Sequence, residues 1–238
     1  MDSNYEKEYL IAEQTHPWFI CRRKMIYQLI KNLPKTARIL EVGCGSGINL
    51  LMLKKKGFIN LSGIEPSKGM KTNIGIPIFD SVDEIRGSFD VILILDVLEH
   101  IPNDSAVLNQ LERILTDTGK VIITVPAFNF LWSAHDELNK HYRRYNRKML
   151  YSAVKTTRLK IIRSFYWNSF LFLPIALTKI LKRNISQIKS DIRPMSTYSS
   201  IIYSYLLYIE NLCINLRIDF PFGVSLVAVL KKKNNTPY

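Results

Sequence analysis

Arg38-Ile39-Leu40-Glu41-Val42-Gly43-Cys44-Gly45-Ser46-Gly47 decides the fold. Its first half is a short apolar, β-branched run of the kind that forms a buried strand. Its second half supplies glycines where the chain must turn tightly and expose bare backbone. A helix is predicted over Ile48–Lys56, with Gly57 just past its end. This strand, glycine turn and helix is the unit from which the rest is read.

Working outward, Asn60–Ile64 reads as a second strand and Ile76–Phe79 as a weaker third. Phe89–Leu95 is the strongest strand, apolar on both faces, as parallel strands covered by helices on each side are. Asp104–Leu115 carries a helical apolar stripe with Asn103 as N-cap. Lys120–Val125 is a fifth strand, stopped by Pro126. Arg158–Phe165 and Gly223–Leu230 suit a sixth and a seventh. Between them lie a greasy segment, Trp167–Leu181, a polar stretch, Lys182–Tyr198, and an apolar helix, Ser199–Leu216. The greasy segment falls short of the ~20 apolar residues of a membrane-spanning helix. Strands alternating with helices predict an α/β fold: a doubly wound, mostly parallel seven-stranded Rossmann-like sheet with helices on both faces. A helical insertion precedes the last strand; it suits a cap, a dimer surface, an interfacial membrane contact or a plain core pair. The expected division is an N-terminal helical cap over 1–35, an α/β core over 36–165, the insertion over 166–222, and the last strand with a basic tail over 223–238.

The chain has 238 residues and a formal net charge of +13. That excess is concentrated: residues 139–193 hold 14 Lys and Arg against one acidic residue, Asp191. A field of one sign favours phosphorylated substrates, acidic lipid or nucleic acid, although a solvated basic face would show the same composition. Cys21, Cys44 and Cys213 lie far apart, which excludes a disulfide framework and a thiolate zinc site and fits a reducing compartment. The first residues lack the build of a signal peptide, so the expectation is a cytoplasmic protein, with membrane association left open.

Glu65 ends the second strand, where a carboxylate can accept hydrogen bonds from ribose hydroxyls. The loop departs from G-x-G-x-x-G, because Ile48 stands where the third glycine belongs. Glu41, just before the bend, would repel a pyrophosphate and suits a cationic amine. A ligand with a ribose, an ammonium group and no phosphate matches S-adenosylmethionine.

The glycine loop, Gly63-Ile64-Glu65-Pro66-Ser67, Phe89-Asp90-Val91-Ile92 and Leu95-Asp96-Val97-Leu98-Glu99-His100-Ile101 together resemble the class I S-adenosylmethionine-dependent methyltransferases, in sequence and in order, across residues 36 to 126. That resemblance implies a cofactor-binding set. Glu41, Gly43, Cys44, Gly45 and Gly47 would hold the methionine part, and Glu65 with Pro66 the ribose. Asp80 would meet the adenine amine with Ser81 beside it, and Leu95 and Asp96 would line the pocket floor.

Ligands of open α/β sheets bind beyond the carboxyl ends of the strands, where Pro126–Asp136 and His141-Tyr142-Arg143-Arg144-Tyr145 begin. This run resembles a subset of the same superfamily with a Leu-Trp-Ser-x-His-Asp and His-x-Arg-Arg-Tyr pattern. Methyl transfer to a hydroxyl needs alignment and a base. His135 or His141 could take the proton and Asp136 could orient an imidazole. Arg143 and Arg144 could hold an acceptor carboxylate or phosphate, with Trp132, Tyr145, His16, Trp18 and Arg22 completing the substrate side. A metal on His135, Asp136 and His141 lacks the helical H-x-x-x-H spacing, so none is expected. The expected function is O-methylation of a small-molecule or lipid-linked anionic acceptor. The alternatives are a nucleic-acid methyltransferase, disfavoured because Asp96-Val97-Leu98-Glu99 replaces the usual Pro-Pro-aromatic run, and a non-catalytic binding module.

Overall fold

The computed structural model describes residues 3–181 and 195–233. Two helices, α1 (Ser3–Thr15) and α2 (Pro17–Ile30), lead into β1 (Arg38–Val42), α3 (Ile48–Lys55), β2 (Asn60–Ile64) and β3 (Ile78–Phe79). There follow β4 (Phe89–Leu95), α4 (Asp104–Arg113), β5 (Leu115–Pro126), α5 (Ala134–Leu138), α6 (Arg147–Lys155) and β6 (Leu159–Trp167). The last elements are α7 (Phe172–Leu181), α8 (Thr197–Asn215) and β7 (Ser225–Lys232).

The seven strands form one sheet in the order β3-β2-β1-β4-β5-β7-β6. β1 to β5 are mutually parallel, and β7 runs antiparallel between β5 and β6. From β1 the chain steps outward one way to β2 and β3, then returns to β4 on the other side. The crevice between the ends of β1 and β4 is therefore the topological switch point, the place where such sheets bind ligands.

Alternation along β4 builds the two cores. Ile92 and Ile94 pack with Leu40, Val121 and Ile123 under α4 and α6. Val91 and Leu93 pack with Ile39 and Ile122 under α2, α3 and α8. All four β4 side chains are completely buried, each burial stabilising the fold by about 1.5–3 kcal/mol. The second N-terminal helix is part of this second core, since Met25, Ile26 and Ile30 of α2 sit in it with Leu207 and Ile214 of α8.

Most boundaries shift by one or two residues from the sequence reading, among them β3, which starts at Ile78, and β7, which spans Ser225–Lys232; three other differences bear on the packing. The helix expected to reach Leu115 ends at Arg113, because Leu115 is the first residue of β5 and pairs with Phe89. Trp167 belongs to β6 rather than to the greasy segment, its indole Nε1–H donating to Asn211 Oδ1 at 2.9 Å. β5 begins five residues before Lys120, and its register against β4 shifts between Phe89 and Val91. Most of the polar stretch Lys182–Tyr198, from 182 to 194, lies outside the described residues, as does 234–238 of the tail.

Candidate functional site

Gly43, Gly45 and Gly47 all have positive φ, at 67°, 53° and 73°. The amides of Gly43 and Cys44 both donate to Ile64 O, which pins the bend to the end of β2. Gly45 N donates to Glu65 Oε2 at 2.8 Å and Ser67 N to Glu65 Oε1 at 2.9 Å. Glu41 is buried with one oxygen accepting from Asn49 Nδ2 and the other, Oε2, without a partner. Burial pushes its carboxyl up to about 8, against the hydrogen bond from Asn49 and the charge of Arg22.

A third carboxylate was not foreseen. Glu13 of α1 reaches into the loop and accepts from Ser46 Oγ at 2.6 Å. Burial raises its pKa too, opposed by Ser46, Arg22 and Arg23. Only 5% of Glu13 is exposed, so it is a buried acid whose helix gives no local motif to announce it. Three carboxylates around a bend of bare backbone would repel phosphate and attract a cation. With Glu41 Oε2 left unpartnered, this donor set fits the sulfonium and ammonium of S-adenosylmethionine.

The other proposed cofactor residues are placed unevenly. Asp96, at the tip of β4, holds a positive φ of 57°, pairs with Arg22, and accepts from Thr124 Oγ1 at 3.0 Å. Leu95 is in the core, and the Cys44 side chain packs against Gly63, where burial pushes the thiol far up. Those two residues offer the cleft backbone more than side chain. Pro66 is exposed and Ser81 half-buried. Asp80 is on the surface, paired with Lys71, so the structure does not bring it to the buried acids.

Beside the switch point is a cavity of about 320 Å³. All four histidines of the chain line it: His16, His100, His135 and His141. Trp18, Asp96, Glu99, Arg144, Lys179 and Tyr203 are also in its wall. His141 Nδ1 stands 2.9 Å from Asp136 Oδ1. Arg144 grips the same carboxylate twice, Nε to Oδ1 at 2.8 Å and Nη2 to Oδ2 at 2.9 Å. Burial alone would raise the Asp136 carboxyl, but the His141 hydrogen bond and the Arg144 charge outweigh it and hold the group well below the usual range.

A family profile described as a methyltransferase domain matches residues 19–170. The chain belongs to the methyltransferase-domain family. Its methyl donor is S-adenosylmethionine. Among relatives, a ubiquinone biosynthesis O-methyltransferase of Dechloromonas aromatica (strain RCB) is 29% identical over 101 residues, covering 37% of this chain and 43% of the relative. One of the same description from Xanthomonas oryzae pv. oryzae is 28% identical over 102 residues, 37% of this chain and 42% of the relative. The matched part is thus less than half the length of these curated relatives. Among solved structures, the plantazolicin methyltransferase BpumL, in complex with a pentazolic desmethylPZN analog and SAH, superposes with a TM-score of 0.60 at 17% identity, covering 98% of this chain and 92% of that one. A complex of the Haloferax volcanii Trm112 methyltransferase activator with a methyltransferase gives 0.61 at 14% identity, covering 99% and 96%. These likenesses establish the fold.

In this methyltransferase domain the residues read as substrate-binding divide into two groups. His16, Trp18 and Arg144 line the cavity. His16 is also the N-cap of α2, its Nδ1 accepting from Trp18 N at 3.2 Å, and burial lowers its pKa. Arg22 is buried under the rings of Trp18 and Phe19 and neutralised by Asp96, so it supports the site from behind. Arg143, Trp132 and Tyr145 are not in the cavity wall. Arg143 is spent on Asp104 at 3.0 Å and the carbonyl of Pro102 at 2.7 Å. Tyr145 is a core residue whose hydroxyl donates to Asp104 Oδ2 at 2.9 Å. The two adjacent arginines therefore do not form an anion clamp.

Glu99 and His100 are site residues that the sequence reading passed over as family markers. Burial keeps Glu99 protonated far above the ordinary range, and its Oε2 has no partner. Burial and the neighbouring His141 bring His100 down to about 4. Ligand atoms of Glu99, His100 and His141 lie within 4.8 Å of one another, so these three could hold a cation. The trio considered from sequence could not, because Asp136 is already engaged by Arg144, His141 and Ser133 N.

Proposed function

We propose that this chain is an S-adenosylmethionine-dependent O-methyltransferase of a small-molecule or lipid-linked acceptor, with His141 as the base. The observation that carries it is His141 in the wall of the cavity that Asp96 joins to the switch point, held from behind by the buried Asp136. When bound, S-adenosylmethionine supplies an electrophilic methyl carbon on a good, neutral leaving group. The acidic bend at Glu13, Glu41 and Glu65 holds the cationic end, with Glu65 placed to accept from a ribose. Asp136 fixes His141 with the proton on Nδ1, which leaves the Nε2 lone pair to take the acceptor's hydroxyl proton. His100, kept neutral by burial, adds no competing charge beside it. Trp18, Phe19 and Tyr203 give the cavity apolar walls that exclude water. Lys179, whose Nζ donates to Ser133 Oγ at 2.9 Å, brings a positive charge to the same wall.

The O-methyltransferase descriptions of the relatives support oxygen as the acceptor atom. Nucleic acid is disfavoured, because Arg143, Arg144 and Arg163 of the basic stretch are paired with Asp104, Asp136 and Asp219. A cytoplasmic location is part of the proposal; three free cysteines, two of them buried, support it. The test is titration calorimetry with S-adenosylmethionine, followed by mass spectrometry of phenolic and isoprenoid-phosphate acceptors incubated with enzyme and donor. Donor binding with methylation of an acceptor hydroxyl is expected. A folded protein that binds no donor would reduce the chain to a fold-bearing module.

A further inference from the structure

Two loops meet at the cavity wall. One is the 3-10 turn Leu98–His100 that follows β4, and the other is the segment after α5 that carries His141. Tyr142 N donates to Glu99 O at 2.7 Å, which ties the two loops together at the backbone. The His100 and His141 rings stand edge to face with their centroids 4.5 Å apart. Glu99 completes a trio, because one ligand atom from each of Glu99, His100 and His141 lies within 4.8 Å of the other two. All three residues line the cavity. No other three histidine, cysteine or carboxylate side chains come together in this way among the described residues.

Two observations point to an ion. Glu99 is 1% exposed, yet its Oε2 has no hydrogen-bond partner. A buried carboxyl oxygen left without a partner is costly, and a cation beside it removes that cost. The second observation is the bracing of the imidazoles. A metal-bound histidine characteristically donates its other ring N–H to a carboxylate or a backbone carbonyl. His141 Nδ1 has Asp136 Oδ1 at 2.9 Å, and the His100 ring has a hydrogen bond with the backbone of Asn139. Asp136 is braced in turn by Arg144. With Nδ1 engaged, Nε2 of His141 is the nitrogen left for an ion. Two ring nitrogens and one carboxylate oxygen select a borderline ion such as Zn²⁺ over Mg²⁺ or Ca²⁺, which take sets of oxygens. Three protein ligands in a cavity wall leave a fourth position open to the cavity, as in zinc sites that keep one exchangeable ligand.

We propose that Glu99, His100 and His141 form a site for a divalent transition ion of the zinc type, and that an ion bound there stops methyl transfer. The inhibitory part rests on the proposed function, because the Nε2 lone pair that takes the acceptor's proton is the one given to the ion. A ring nitrogen bound to a metal cannot accept a proton at the same time. The ion-free chain is then the active form, and zinc regulates the same cavity in which the acceptor reacts. The donor end is untouched, since Glu13, Glu41 and Glu65 gather at the glycine bend and none of them belongs to the trio.

The experiment is titration calorimetry of the full chain, first stripped with a chelator, against Zn²⁺ and separately against Mg²⁺, with methyl-transfer assays in each ion. One Zn²⁺ per chain is expected, with no comparable binding of Mg²⁺. Turnover should fall as the zinc site fills, while donor affinity stays that of the ion-free chain. X-ray absorption at the zinc edge should show nitrogen and oxygen neighbours at about 2.0–2.2 Å and no sulfur, which sets the three free cysteines aside. His100→Ala and Glu99→Gln should each weaken zinc binding about 100-fold or more, at least what loss of an outer partner costs. Their turnover should no longer respond to zinc at the concentration that inhibits the parent. His135→Ala changes a histidine of the same wall outside the trio and should keep the parent's zinc affinity. Circular dichroism checks folding, and Glu99→Gln, the isosteric change, serves if the alanine variant does not fold. Absence of zinc binding by the folded parent overturns the inference. So does zinc that S-adenosylmethionine displaces and that His100→Ala still binds, which would put the ion at the acidic bend. Zinc held by the trio that speeds methylation would overturn the inhibitory role together with the His141 base. Zinc binding by a chain that binds no donor would defeat the proposed function and leave the metal site standing.

Discussion

His141 Nδ1 and Asp136 Oδ1 stand 2.9 Å apart, with the Asp136 side chain wholly buried and its second oxygen held by Arg144 and the amide of Ser133. The carboxylate therefore cannot turn away, and the imidazole is fixed in orientation by a group that stays ionised. Residues five apart in sequence are brought together because α5 ends between them and Lys140, at φ 55°, reverses the chain.

Replacing His141 by Ala removes the base. The turnover number should fall by about 10²–10⁴-fold, with donor affinity unchanged, because the acidic bend is a separate structure. Steady-state kinetics set against calorimetric donor binding checks this. A loss of donor binding equal to the loss of turnover would contradict the role given to His141.

Asp136→Asn should damage fold and activity together. It leaves Arg144 buried without its counter-charge, an effect of about 3–5 kcal/mol for one partner of a buried pair. Urea unfolding measures that loss. In protein still folded, the pH dependence of turnover should change shape, because the amide no longer fixes the proton on Nδ1.

Glu41 makes the donor site pH-dependent. Its folded pKa, about 8, is above the ordinary value of 4.5, so the folded state favours the neutral acid. The stability this contributes is complete below the unfolded pKa and is lost as pH rises through about 8. Thermal unfolding of the ligand-free chain should show a decline across that window, and Glu41→Gln should flatten it. A cation bound beside Glu41 lowers its pKa, so S-adenosylmethionine should release protons near neutrality. Calorimetry in buffers of differing ionisation enthalpy would detect this, with smaller release for SAH, which has no sulfonium charge.

Gly43→Ala and Gly57→Ala form a discriminating pair. Both have positive φ, a conformation that costs an L residue about 1–2 kcal/mol. At Gly57 the added Cβ meets only the Lys35 side chain at 3.7 Å, so stability alone should drop. At Gly43 it would be 2.5 Å from Val97 Cγ2, beside Asp96 at the tip of β4. That substitution should weaken donor binding as well, which calorimetry and thermal melts separate.

Asn211→Leu tests how the insertion is tied to the sheet. It strands the Trp167 indole N–H, a buried group whose loss of a partner costs about 1–3 kcal/mol, and removes the second bond made to the Cys21 carbonyl of α2. The melting temperature should fall, and hydrogen exchange should rise first in α8.

What could be read along the chain was whatever the backbone repeats locally. The alternation of Val91, Ile92, Leu93 and Ile94 is a strand with two buried faces whatever surrounds it, and both cores now use it. Gly43, Gly45 and Gly47 announce a bend because other residues resist positive φ. Asn103 caps α4 by accepting from Ala106 N three residues on. These features depend on neighbours within a few positions, so order and type of residue fix them. Partnership between distant residues has no such signature. Adjacent Arg143 and Arg144 read as one anion clamp, yet Asp104 claims the first and Asp136 the second. Asp80 followed a strand end but met solvent and Lys71, because β3 is the edge of the sheet. Glu13 sits on a helix with no motif, and only the packing of α1 over the glycine bend makes it a neighbour of Glu41 and Glu65. Local sterics chose the elements; burial and charge compensation, settled only when those elements pack, chose which polar groups are tied up and which are left to the cleft.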